Sequence, residues 1–178
     1  MHARRRRQAL HTLRTSLGPG TVVFICHGNI CRSPFAEGIF RKRLGSVGIF
    51  LIRAIRSAGF VGPDRSSPPA ALESAMKFGV DMTAHRSALI NNELAREANL
   101  LVTMSAEQAR DLRKRFPSSN ALILVLGDLD PFPIETRTIR DPWRCPPEVF
   151  DASYARIDRC VQELVAAIRE RGVMERTI

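Results

Sequence analysis

Nine residues constrain this chain more than any others. Cys26-His27-Gly28-Asn29-Ile30-Cys31-Arg32-Ser33-Pro34 lies between the β-branched and aromatic run 21–25 (TVVFI) and a segment of helix-forming composition. Such a run suits a buried strand, and Pro34 suits the first turn of a helix, where its missing N–H would have had no partner. The expectation is strand, tight loop, then a helix from Pro34 with Ser33 at its N-cap. The loop assembles what a phosphate dianion needs: successive backbone N–H groups, the positive end of a helix dipole, and a guanidinium. It also holds a nucleophile, because a helix N-terminus and an arginine beside Cys26 favour its thiolate. The five residues between Cys26 and Arg32 are enough to curl into a cup. The sulfur would sit at its base and the guanidinium fork on its rim, gripping two phosphate oxygens.

A chain of 178 residues is expected to form one domain with a core that needs no staples. Cysteines at 26, 31, 145 and 160 are too few and too irregular for a secreted disulfide scaffold. They also lack zinc spacing, so no metal is expected, and the expected compartment is the reducing cytoplasm. The net charge of +9 and pI of 10.6 invite a nucleic-acid reading. The distribution argues against it. Arginines 4, 5, 6, 7 and 14 lie in the first twenty residues with no acid among them, and one Tyr and one Trp are poor material for base stacking. Residues 1–20 therefore read as a basic extension, frayed or helical, and residues 21–178 as the domain. No apolar run follows those arginines as a secretory signal would require, and no stretch approaches a membrane span.

Along the chain, hydrophobic periodicity places a helix over 35–44 ended by Gly45, a second strand over 49–55 closed by Ser57-Ala58-Gly59, and a loop over 62–69. A short helix follows over 70–78, a third strand over 99–103, and a helix from the Ser105-x-x-Gln108 capping box to about Arg115. A fourth strand spans 121–126, and a long amphipathic helix carries Tyr154, Ile157, Val161, Leu164, Val165 and Ile168. Strands alternating with helices predict an α/β fold of three layers, a four-stranded parallel sheet with helices on both faces. Ligands in such sheets bind beyond the carboxyl ends of the strands, where Cys26 sits.

Displacing an alkoxide or phenolate from phosphorus requires a proton donor opposite the nucleophile. Two Asp-Pro pairs, Asp130-Pro131 and Asp141-Pro142, lie in the Pro-rich segment before the last helix, and sequence physics does not choose between them.

At these residues the chain resembles the low-molecular-weight protein tyrosine phosphatases, whose signature Cys-(x)5-Arg-Ser/Thr is filled here as CHGNICRSP. The resemblance runs over residues 21–172. It implies hydrolysis of phosphotyrosine in protein substrates, without cofactor or metal, through a cysteinyl-phosphate on Cys26. Arg32 and the loop His27, Gly28, Asn29, Ile30 and Cys31 would hold the phosphate, and Ser33 would hydrogen-bond the sulfur. It selects Asp141, in Asp-Pro-aromatic, as the acid, and it matches Ser57 and His85 to the residues that hold Asn29. Phe60 and Trp143 stand where aromatic walls could sandwich a phenol ring. Cys31 is either a reversible disulfide partner for Cys26 or packing behind the loop. Two related activities resemble this pattern less well. Arsenate reductases add downstream cysteines, whereas residues 32–144 hold none here, and protein arginine phosphatases carry Thr where Ile30 stands.

Overall fold

Strand β1 (Gly20–Cys26) lies inside a four-stranded, all-parallel sheet of order β2-β1-β3-β4, with β2 at Ile52–Gly59, β3 at Ala98–Thr103 and β4 at Leu122–Val125. The computed structural model describes residues 1–45 and 51–175. Its helices are α1 (His2–Ser16), α2 (Arg32–Leu44), α3 (Pro69–Lys77), α4 (Asn92–Glu97), α5 (Ala106–Arg115) and α6 (Pro147–Glu175). Because strand side chains alternate, β1 feeds two cores. Val22, Phe24 and Cys26 face the larger one, built with α1, α2, α3 and α6, whereas Val23 and Ile25 join Ala95 and Leu112 of α4 and α5 on the other face. This is the expected three-layer α/β architecture, with both faces of the parallel sheet covered.

Aromatic contacts lock the larger core beneath the Cys26 loop. Phe35 of α2 stacks flat on Tyr154 of α6 with ring centroids 4.0 Å apart, and Phe24 meets Phe40 edge-on at 5.3 Å. The basic N-terminal segment forms α1, in which leucines three and four residues apart make one apolar stripe. Leu10, Leu13 and the following Leu17 are buried in the larger core. The same side of the helix is tied to α6 by Arg6–Glu163 and by Arg14–Glu170 at 2.5 Å.

Several expected boundaries move. Helix α2 begins at Arg32 with Cys31 at the N-cap, so Ser33 lies inside the first turn and points to the sulfur instead of capping. Strand β2 runs to Gly59, because Ser57-Ala58-Gly59 pairs with Phe24-Ile25-Cys26, and that pairing overrides the turn propensity of the three residues. The start of the expected strand, Ile49 and Phe50, lies outside the described residues. Helix α4, capped by Asn91 accepting from the Leu94 N–H at 2.8 Å, and a 3-10 turn at Leu126–Leu129 carry too few residues to show a period, and periodicity did not find them.

Candidate active site

The carboxyl end of β1, the N-terminus of α2 and the segment between the 3-10 turn and α6 enclose a cleft of about 190 Å³. Cys26, Arg32, Asp141 and Trp143 all line it. Its base is the loop 26–33, curled as the spacing requires. The Asn29 N–H donates to Cys26 Sγ at 3.2 Å, and Ser33 Oγ lies 3.0 Å from the same sulfur. Ser33 Oγ accepts from the Asn29 amide at 2.8 Å, and its own proton has two acceptors within reach, the sulfur at 3.0 Å and the Ala58 carbonyl at 3.4 Å.

Asn29 is the keystone of the curl. It is fully buried and left-handed, with φ 50°, a conformation that Asn tolerates better than other side-chain-bearing residues. Its amide donates to Ser57 Oγ at 3.0 Å and its carbonyl oxygen Oδ1 accepts from the Ala88 N–H at 2.8 Å. His85 Nε2 donates to the Asn29 backbone carbonyl at 2.7 Å, which fixes the proton on that ring nitrogen. Ser57 and His85, the two residues matched by resemblance, both contact Asn29. Gly59 lets the loop close. A Cβ there would lie 2.8 Å from both the Asn29 nitrogen and the His27 oxygen, so β2 can lie against the loop only as glycine.

Arg32 is nearly enclosed. One terminal nitrogen donates to the Ile139 carbonyl at 3.1 Å and the other is ion-paired with Asp141, while its buried Nε has no hydrogen-bond partner among the described residues. That leaves one buried guanidinium N–H beside the cleft as an unused donor. Asp141 is half exposed on the rim, and its other oxygen accepts from the Trp143 N–H at 3.2 Å. Asp130 is elsewhere. It is fully buried, gripped by Arg156 at 3.0 Å and Arg159 at 2.9 Å, and does not line the cleft. Burial alone would raise the Asp130 carboxyl, but the Arg159 hydrogen bonds, the Phe132 N–H and the two arginine charges outweigh it and hold the group below the usual carboxylate range.

Cys31 is buried beneath the cup, and its carbonyl accepts from Tyr154 Oη at 3.1 Å. Burial, followed by the neighbouring Cys26 and Asp141, pushes its thiol up to about 12. Ile30 and the exposed His27 line the cleft, as does Gly28.

Phe60 does not. The chain leaving β2 alternates, so Phe60 packs into the smaller core with the Arg115 guanidinium 5.0 Å above its ring, and Val61 takes the place on the cleft wall. Trp143 is the aromatic wall, with Arg144 over its ring at 5.7 Å. Sequence reasoning also missed Arg65, which lines the cleft and donates to the carbonyls of Gly28 at 2.7 Å, Val61 at 2.8 Å and Gly62 at 2.7 Å. Its position inside a Pro- and Ser-rich loop gave no periodicity to read.

A family model described as low molecular weight phosphotyrosine protein phosphatase matches residues 21–174. The probable low molecular weight protein-tyrosine-phosphatase EpsP of Ralstonia solanacearum is 32% identical over 154 residues, covering 85% of this chain and 98% of that protein. Among solved structures, the tyrosine phosphatase Wzb from Escherichia coli K30 in complex with sulphate superposes with a TM-score of 0.71 at 28% identity, over 83% of this chain and 96% of that one. The YwlE arginine phosphatase from Geobacillus stearothermophilus, at 22% identity, shares the fold with a TM-score of 0.76 over 88% of this chain and 97% of its own. The chain belongs to the low molecular weight phosphotyrosine protein phosphatase family.

Proposed function

We propose that the protein is a protein tyrosine phosphatase that hydrolyses phosphotyrosine and aryl phosphates through a phosphorylated cysteine. The observation that carries this reading is the convergence of Cys26 Sγ, the Arg32 fork and Asp141 on one cleft. In the first displacement Cys26 Sγ attacks phosphorus as the bond to the leaving oxygen breaks, and Asp141 delivers its proton to that oxygen. In the second, Asp141 as carboxylate takes a proton from water, whose oxygen attacks phosphorus while the P–S bond breaks. Arg32 and the loop N–H groups carry the equatorial charge in both steps. The Ser33 hydroxyl, 3.0 Å from the sulfur, assists its departure.

Trp143 and Ile30 make the upper cleft apolar enough for a phenol ring. A phosphoserine is too short to bring its phosphorus to the sulfur past such walls. An oxidised Cys26 could not attack phosphorus, so the chemistry suits a reducing cytoplasm. Among the described residues, no helix is long and apolar enough to cross a membrane and no cluster of three or more His, Cys, Asp or Glu could hold a metal.

The rival reading, protein arginine phosphatase, is favoured by the shared fold with the YwlE enzymes alone. Ile30 offers a phosphoarginine guanidinium no hydrogen-bond acceptor, at a cost of roughly 1–3 kcal/mol for a buried donor left unsatisfied. Peptides bearing phosphotyrosine, phosphoserine or phosphoarginine, assayed side by side, test the proposal. Phosphotyrosine is expected to lead phosphoarginine by about tenfold or more in kcat/KM, equivalent to about 1.4 kcal/mol. Equal or better turnover of phosphoarginine would transfer the protein to the rival class.

A further inference from the structure

A second and larger cavity, about 400 Å³, opens at the free edge of β4, where α1 and α5 flank the sheet. Part of its wall comes from α1, which precedes the segment matched by the family model. Its floor is apolar, with Leu13, Ala109 and Leu122 among its residues. The rest of its lining is strongly basic. Arg5 comes from α1, Arg110 and Arg113 from α5, and Arg137 from the segment that also carries Asp141, against the single carboxylate of Asp128.

That carboxylate is already fully used. Both oxygens accept from Arg137, at 3.0 Å to its Nε, and Arg5 Nε approaches Oδ1 only to 3.4 Å. Arg5 Nε is buried and makes no hydrogen bond among the described residues. The Arg113 guanidinium has no ion-pair partner there either, and Arg110 meets only the exposed Glu107 at 3.3 Å. A buried N–H without an acceptor, beside surplus cations over an apolar floor, calls for an anion with an apolar body. Guanidiniums arriving from two separate helices, one from α1 and two from α5, suit the differently directed oxygens of a tetrahedral phosphate better than a planar carboxylate.

We propose that this cavity is a binding site for a small organic phosphate dianion, separate from the cleft at Cys26. The phosphate is gripped by Arg5, Arg110 and Arg113, with its apolar body on Leu13 and Leu122. Arg137 belongs to both the site and the segment bearing Asp141, so the two sites share one stretch of chain.

Phenylphosphonate, which has no hydrolysable ester bond, is the probe, titrated into the full chain with amide shifts followed by NMR. Two independent sets of shifts are expected, one at Gly28 and Asn29 and one at Thr12, Ala109 and Leu122. Arg32→Met should remove the first set and leave the second. The double variant Arg110→Glu/Arg113→Glu should weaken the second set at least tenfold and leave the first. Both arginines are exposed, so an unchanged melting temperature separates lost binding from lost folding. Thr12→Trp, which plugs the cavity without changing charge, should weaken the second set as well. Shifts confined to the Cys26 loop, or a second set that survives the double charge reversal, would overturn the proposal.

Discussion

Arg32 donates to the carboxylate of Asp141 across the mouth of the cleft, so the candidate phosphate clamp and the candidate acid occupy each other's charge. A dianion entering the cup must take the guanidinium from Asp141. Binding of the dianion and release of Asp141 from Arg32 are thereby one event.

The consequence is a split phenotype for Asp141→Asn. Turnover of an aryl phosphate should fall by about 10²–10⁴, the usual range for loss of a general acid. Inhibition by inorganic phosphate should tighten several-fold, because nothing charged competes for Arg32. Steady-state kinetics with and without phosphate would show both effects. A variant that loses turnover and phosphate affinity together would contradict the account.

Asp130→Asn should act on stability instead. The folded Asp130 carboxyl lies below its unfolded value of about 3.9, so its contribution is fully present above that pH and is lost as pH falls through the lower folded value. Removing the charge leaves Arg156 and Arg159 facing a neutral amide, a loss of roughly 3–5 kcal/mol by analogy with broken buried pairs. Thermal melts from pH 7 down to about 3 should show the unaltered protein approaching the variant at the acid end. Parallel melting curves at all pH values would count against the buried pair.

The loop keystone makes a graded prediction. Asn29→Ala removes the donors to Ser57 and Ser33 and the acceptor for the Ala88 N–H, and places alanine at φ 50°. The left-handed backbone costs roughly 1–2 kcal/mol and each stranded buried group about 1–3 kcal/mol. His85→Ala removes one hydrogen bond at a less buried position, and Asn29→Ala should therefore damage both melting temperature and kcat/KM more than His85→Ala does. The reverse order, measured on both variants together, would move the keystone role to His85.

Cys31 yields a redox prediction. Mild peroxide is expected to convert Cys26 to a sulfenic acid, whose condensation with the Cys31 thiol would release water and form a disulfide that thiols can reverse. Because the Cys31 thiol is pushed up to about 12, closure should accelerate as pH rises. A Cys31→Ser variant should pass to irreversible oxidation. Mapping by mass spectrometry that links Cys26 to Cys145 or Cys160 instead would refute the pairing.

Much of this site is local and therefore legible in sequence. Cys26, Arg32 and Ser33 share one loop whose spacing dictates a cup, and the sheet follows from strands that alternate with helices. What was not legible is long-range. Asp130 and Asp141 stand in the same Asp-Pro context, and only the docking of α6, which carries Arg156 and Arg159, buries one and leaves the other on the rim. Phe60 and Val61 differ in which way one extended backbone turns, a parity that no local pattern announces. Arg65 reaches the cleft through three carbonyls of loops whose course depends on Ser87, which donates to Gly62 at 2.6 Å and accepts from the Arg65 N–H at 2.9 Å. The helicity of α1 needed its leucine stripe to be weighed against its arginines, which dominate the composition.

The central claim is that Cys26 is the nucleophile, and Cys26→Ser tests it most directly, with hydrolysis of a phosphotyrosine peptide and binding of inorganic phosphate measured on the same preparation. The expected result is turnover reduced to background with phosphate still bound, since Arg32 and the loop N–H groups remain. Hydrolysis retained near the unaltered rate would show that the sulfur does not attack phosphorus.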